Sequence, residues 1–298
     1  MNSKQVLEGF RVKPGKKLRL KDFDPGWEAN RRTPKEKRKE TAESILAQDV
    51  AALAKSQELL YADNRWSVLA IFQAMDAAGK DSAIKHVLSG VNPMGCQIFS
   101  FKQPSAEELD HDFLWRCAKA LPERGRIGVF NRSYYEEVLV ARVHPELLTA
   151  QRLPDGKPTR AFWERRYEAI NNFEEHLTRN GTKVVKFFLH LSKDEQRLRF
   201  IRRLEHPEKH WKFSMGDLAE RAFWDDYQKA YETCLAATST EDAPWYVIPA
   251  DHKWVTRSLV ASALLQTIQS LPLNWPKISK EQQSDIEAAR QKLEKGKI

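Results

Sequence analysis

A chain of 298 residues with 41% apolar content and nine tryptophans can bury a large core, which excludes an intrinsically disordered protein. Three scattered cysteines, Cys96, Cys117 and Cys234, make neither a disulfide framework nor a CxxC metal site, so a reducing, cytoplasmic setting is expected. Basic residues outnumber acidic ones by 49 to 41, a net charge of +8 that points to an anionic partner; the first residues show no apolar h-region and no run reaches membrane-spanning length.

In chain order, residues 1–32 read as a basic, irregular arm. Thr33-Pro34-Lys35-Glu36 has the pattern of a capped helix start, and Leu46, Val50, Leu53 and Leu60 continue it at helical spacing to about Leu60. A first strand is predicted at Val68–Phe72, followed by a glycine-lysine turn and a helix over Gly79–Leu88. A strand at Gln97–Phe101 precedes a helix capped by Ser105 and reaching about Leu121, then a strand at Ile127–Phe130 and a helix starting near Tyr134. Further on come a helix at 159–179, the apolar strand Lys183–Leu191, and a helix capped by Ser192. A strand at Trp245–Pro249, a helix at 253–271 and a polar helix from Ser279 close the pattern.

Five strands interleaved with helices predict an α/β fold with one parallel sheet covered on both faces, whose ligands collect at the carboxyl ends of the strands. The division expected is an arm (1–32), a main domain (33–272) and a polar C-terminal helix (273–298). The charged, aromatic span 205–217 suits a lid.

Three groups of residues could carry chemistry. Ala74 to Lys80 departs from the phosphate-loop pattern GxxxxGK[ST]: Ala74 replaces the first glycine and Asp81 the hydroxyl residue, yet Gly79-Lys80 at a helix start still faces N–H groups and a cation toward an anion. An ordinary helix start with a solvated lysine would read the same way. Asp76 inside the loop repels phosphate unless a cation intervenes, so it is a candidate metal ligand or proton acceptor, or else a turn-stabilising residue. The second group is Phe130-Asn131-Arg132-Ser133-Tyr134-Tyr135-Glu136, in which Arg132 and Glu136 also fit a plain surface ion pair. The third is the basic run Arg197, Arg199, Arg202 and Arg203, leading into Lys209, His210 and Lys212; it suits a phosphoryl clamp or an exposed basic helix face. No histidine has metal-ligand spacing.

Together, FQAMDAAGKD at 72–81, FNRSYYE at 130–136, Arg203-Leu-Glu-His-Pro207 and Trp211-Lys-Phe-Ser214 closely resemble the second family of polyphosphate kinases, over about Phe10 to Pro272. The resemblance implies a phosphate-loop kinase fold of the thymidylate-kinase type with a helical lid. It also implies phosphoryl transfer between inorganic polyphosphate and nucleotides with Mg²⁺ (or Mn²⁺), and a homo-oligomer, dimer or tetramer. By position, Asp76 corresponds to the loop carboxylate that holds metal, Lys80 to the loop lysine, and Arg132 and Arg203 to phosphate-clamping arginines. Ala77, Ala78, Gly79 and Asp81 complete the phosphate loop, and Lys85 falls on the polyphosphate path. Asn131 and Glu136 depart from the commoner Asp and Asn at those places and match the class III form, which phosphorylates both AMP and ADP. Asn131 and Glu136 then lie beside the nucleotide, with Glu136 as a second metal-holding acid. The alternatives are an ATP-dependent kinase on the same fold, a non-catalytic basic nucleic-acid-binding protein, and a nucleotide sensor; no nucleic-acid motif is present, and the basic residues are interleaved with acids.

Overall fold

The computed structural model describes residues 3–154 and 158–296, so the outermost two residues at each end, parts of the arm and C-terminal helix read above, lie outside the described residues. Five strands, β1 (Ser67–Ala74), β2 (Cys96–Ser100), β3 (Ile127–Asn131), β4 (Thr182–His190) and β5 (Trp245–Pro249), form one parallel sheet in the order β2-β3-β1-β4-β5. The described helices are α1 (Ser3–Glu8), α2 (Lys35–Asp63), α3 (Lys80–Val87), α4 (Ala106–Leu109), α5 (Trp115–Ala118) and α6 (Glu136–Val143). They continue with α7 (Arg160–Arg179), α8 (Lys193–Leu204), α9 (Met215–Glu220), α10 (Trp224–Thr238), α11 (Lys253–Gln269) and α12 (Lys280–Glu294).

The period of two along each strand divides the core. Leu69 and Ile71 face one side with Val184 and Phe188, under α6, α7 and α10; Val68, Ala70 and Phe72 face the other with Val185 and Phe187, under α2, α3 and α11. Central β1 lies between β3 and β4, with Phe72 in register with Asn131 and Phe187. The chain leaves β1 toward one half of the sheet and later fills the other, so a crevice opens at its carboxyl end, where ligands bind in such folds.

Helix α2 begins one residue later than the Thr33-Pro34 pattern predicts, because Pro34 is extended (φ −52°, ψ 144°) and its carbonyl accepts the first helical bond, from Arg38, at 3.1 Å. The helix predicted to run from Ser105 to Leu121 is broken. Ser105 and Glu108 form the expected capping box, but α4 ends at Leu109 and the Asp112 carboxylate caps a fresh start by accepting from the Leu114 N–H at 2.9 Å. Helix α10 was given no bounds above, although Trp224, Tyr227, Tyr231, Leu235 and Thr238 recur on one buried face.

Within the segment read as an irregular arm, α1 forms and Leu7, Phe10, Val12, Leu18 and Leu20 are buried. Val12 N–H donates to Trp245 O at 2.9 Å and Val247 N–H to Phe10 O at 2.8 Å, so this segment covers the β5 edge, while the opposite edge, β2, stays open with Ile98 and Phe99 exposed. Among the described residues no helix is long and apolar enough to cross a membrane.

Candidate active site

The loop from β1 to α3 is shaped by two left-handed residues, Ala77 (φ +63°) and Gly79 (φ +99°). Glycine adopts that conformation freely; alanine does so at a cost of about 1–2 kcal/mol. Arg199 on α8 holds the turn from behind: its Nη1 donates to Ala77 O (3.0 Å) and Ala78 O (2.8 Å), and its Nη2 to Asp251 O (3.1 Å). With the carbonyls drawn inward, the N–H groups opening α3 face the crevice. Arg199 was read as a member of a phosphate clamp; it is buried, and it props the loop.

Lys80 folds back over this loop, its Nζ donating to Ala74 O at 3.2 Å. Burial lowers the Lys80 ammonium below its ordinary value and repulsion from Arg132 adds to this, while Asp76, Glu136 and Asp81 offset it.

Beside it, β3 ends at Asn131, whose Nδ2 donates to Asp81 Oδ1 at 2.7 Å. Arg132 then takes a left-handed turn (φ +65°), a conformation costing about 1–3 kcal/mol off glycine, anchored by its N–H donating to Phe72 O at 3.0 Å. That turn aims the Arg132 guanidinium at Asp76, with Nη2 to Oδ1 3.5 Å. Glu136 opens α6 one turn further in. Burial pushes its carboxyl above the usual range against the pull of Arg132 and Lys80, and Asp76 adds to the rise.

Two clefts meet here. The first, about 760 Å³, runs over Ala77–Ser82 and is lined by nine cationic side chains against two carboxylates, Asp76 and Asp81. All five strand ends supply cations: Lys80 after β1, Lys102 after β2, Arg132 after β3, the α8 arginines after β4 and Lys253 after β5. The second, about 440 Å³, is lined by five acids, among them Glu136, Asp217 and Glu220, by four cations, Lys102, Arg116, Arg132 and Arg221, and by apolar walls from Leu109, Val140, Leu147 and Tyr231. Asp76, Lys102 and Arg132 line both.

The segment 205–217 holds a tight helical turn, Pro207–Lys212, and the start of α9, with Trp211 and Met215 exposed. Arg203 bonds Asp217 across it at 3.1 Å. Arg221 donates to Gln196 Oε1 at 2.8 Å, and Gln196 Nε2 donates to Asp76 O at 3.0 Å, so this region is tied to the β1 loop.

The structure therefore brings Asp76, Ala77, Ala78, Gly79, Lys80, Asp81, Asn131, Arg132 and Arg203 to the first cleft and Glu136 to the second. Asn131, expected beside the nucleotide, lines the cationic cleft, and Lys85 is exposed on α3 and lines neither. Lys102, Lys253, Gln196 and Asp217 were missed; the signal for both lysines was a cation just past the end of a strand. Among the described residues no three His, Cys, Asp or Glu side chains cluster as a protein-only metal cage. Asp76 and Glu136 in one cleft do fit a hard cation that takes one or two carboxylates and completes its shell with phosphate oxygens and water.

A parallel sheet of this order, with a phosphate loop under a cationic cleft and an acid–arginine pair at its inner end, defines a phosphoryl-transfer enzyme with a kinase-like fold. The model of the family described as Polyphosphate kinase 2 matches residues 35–274, and the chain belongs to that family: it is a polyphosphate-dependent phosphotransferase. It is 54% identical over 289 residues to an ADP-polyphosphate phosphotransferase of Rhodopseudomonas palustris, covering 95% of this chain and 97% of that one. It is 45% identical over 270 residues to an AMP/ADP-polyphosphate phosphotransferase of Meiothermus ruber, covering 91% and 96%. The crystal structure of polyphosphate kinase 2 from Arthrobacter aurescens superposes with a TM-score of 0.85 at 42% identity, covering 98% of this chain and 97% of that one.

Proposed function

We propose that the enzyme moves the terminal phosphoryl group of inorganic polyphosphate to AMP and to ADP, giving ADP and ATP, reversibly and at one site. The observation that carries the reading is the meeting of a strongly cationic cleft and an apolar-walled cleft of mixed charge at Asp76, Lys102 and Arg132. A polyanion suits the first and a nucleoside the second. The names of the relatives support both acceptors, one carrying ADP and the other AMP and ADP.

The chemistry follows from this placement. An ionised terminal phosphate oxygen of the acceptor attacks the terminal phosphorus of the polymer. The new O–P bond forms as the anhydride P–O bond breaks, and its electron pair stays on the new terminal oxygen of the shortened chain. No protein nucleophile is needed. Lys80, Arg132, Arg203 and the α3 N–H groups spread the developing charge, and Arg132 fixes the geometry between the clefts. Mg²⁺ (or Mn²⁺) held by Asp76 and Glu136 would screen the acceptor phosphate from these carboxylates. Closure of 205–217 as a lid would exclude water that otherwise hydrolyses the donor. A cytoplasmic homo-oligomer, dimer or tetramer, completes the reading, supported by three free cysteines and the uncovered β2 edge. The cations converge on a cleft, which favours polyphosphate over nucleic acid.

With ADP as acceptor, polyphosphate and Mg²⁺ are expected to yield ATP, and GTP as the only donor is expected to yield none. ATP from GTP with none from polyphosphate would return the nucleotide-driven kinase. Glu136 sets the acceptor range in this reading, because it lines the nucleoside cleft from the start of α6, where a metal ion it helps to hold would meet the phosphate of the shorter AMP. Loss of a charged contact of about 1.5–3 kcal/mol corresponds to roughly 10–100-fold in rate. Glu136→Gln is thus expected to slow AMP by that factor more than ADP. A raised carboxyl loses its charge as pH falls through its elevated value, so the acid limb of the wild-type AMP profile should lie above the ordinary glutamate range and vanish in the variant. Unchanged rates with both acceptors contradict the assignment.

A further inference from the structure

A lysine sits between the apolar buried runs Val184-Val185 and Phe187-Phe188-Leu189 of β4: Lys186 is fully buried, in register with Ile71 of β1 and Trp245 of β5. It pairs with buried Glu174 of α7, and it also donates to Tyr135 Oη at 3.0 Å and to Thr238 O at 2.7 Å, so all three ammonium hydrogens are used. The other Glu174 oxygen accepts from the hydroxyls of Tyr134 and Tyr135, both at 2.8 Å. The network is closed, and it touches neither cleft.

Its position in the chain is what matters. Tyr134 and Tyr135 lie between Arg132 and Glu136. On the other side of the same turn, Phe72 O accepts from Arg132 N–H at 3.0 Å, and Ser133 Oγ accepts from Tyr135 N–H at 3.2 Å and from Gln73 Nε2 at 3.4 Å. The turn carries the left-handed Arg132, a conformation that persists only where its surroundings over-determine it. A buried ion pair is poor evidence of stabilisation, since apolar replacements of equal volume are often as stable, whereas its fixed geometry specifies where its partners sit.

We propose that the Glu174–Lys186 pair is a positioning device for phosphoryl transfer, acting through Tyr134 and Tyr135 to hold Arg132 and Glu136 at the meeting of the two clefts. It rests on the roles assigned to those two residues above. Arg132 is one of nine cations lining the donor cleft, and the other eight are untouched, so loss of the pair lowers kcat far more than it raises KM for polyphosphate.

The test is a shape-preserving variant, Glu174→Leu with Lys186→Met, Tyr134→Phe and Tyr135→Phe, beside Tyr135→Phe alone. In the fourfold variant kcat is expected to fall about 100-fold, the scale of a displacement of about 1 Å. The melting temperature should stay near that of the wild type, and KM for polyphosphate should rise by much less than kcat falls. Tyr135→Phe should lose about tenfold in kcat with a smaller change in KM, a partial displacement on the same scale. Wild-type kcat in either folded variant, or a kcat loss that merely follows the unfolded fraction, overturns the proposal. If the fourfold variant does not fold, Tyr135→Phe decides. A wild-type enzyme inactive with polyphosphate would instead defeat the functional reading itself, so the two failures are distinguishable.

Discussion

Lys80→Met is expected to lower kcat by about a thousandfold with AMP and ADP alike, on the scale of removing a preorganised charge donor from a transition state. Lys80 is the cation that folds over the phosphate loop, with its Nζ on Ala74 O and Arg132 across the crevice. The variant should be no less stable than the wild type. Because burial and Arg132 hold the Lys80 ammonium below its ordinary value, its charged form costs folding free energy at neutral pH, and that cost disappears with the charge. An activity collapse at an equal or higher melting temperature is the expected result, read by initial rates and thermal unfolding together. A comparable loss of both would mean that Lys80 is structural.

Asp76→Asn is expected to have an effect of similar size, about a thousandfold in kcat, but of a different kind. Asp76 is the carboxylate common to both clefts, and it faces Arg132. Removing its charge frees that guanidinium and weakens the seat for a divalent cation. The Mg²⁺ concentration giving half-maximal rate should therefore rise, whereas Lys80→Met should leave it nearly unchanged. Polyphosphate itself should bind no more weakly, since a like charge beside it has been removed. An Asp76→Asn enzyme within tenfold of the wild type, with an unshifted Mg²⁺ dependence, would remove Asp76 from the chemistry.

Much of this site was legible in the sequence because its determinants are local. A β-branched, apolar run leading into Gly79-Lys80 carries the strand, the turn and the helix start within a few residues, and Ser192 caps its helix as expected. What escaped depends on pairing across the chain. Arg199 looks like any arginine of a basic helix until 122 residues of separation bring it to Ala77 O. Lys186 is a polar interruption in an apolar strand, and only the fold supplies Glu174 and the two tyrosines that satisfy it. Lys85 sits one helical turn from the loop, but the rotation of α3 turns it outward. The break after α4 escaped because its capping aspartate, Asp112, reads equally well as a solvated helix residue. The buried face of α10 was present in the sequence, but no capping side chain marks where the helix starts.

The most direct test of one site serving two acceptors is a time course of nucleotides from AMP, long-chain polyphosphate and Mg²⁺, with no ATP added and with disproportionation of ADP controlled. ADP should appear first and ATP after it, from the same protein. No product from AMP, with ATP formed from ADP alone, would contradict the role given to Glu136 and confine the enzyme to diphosphates.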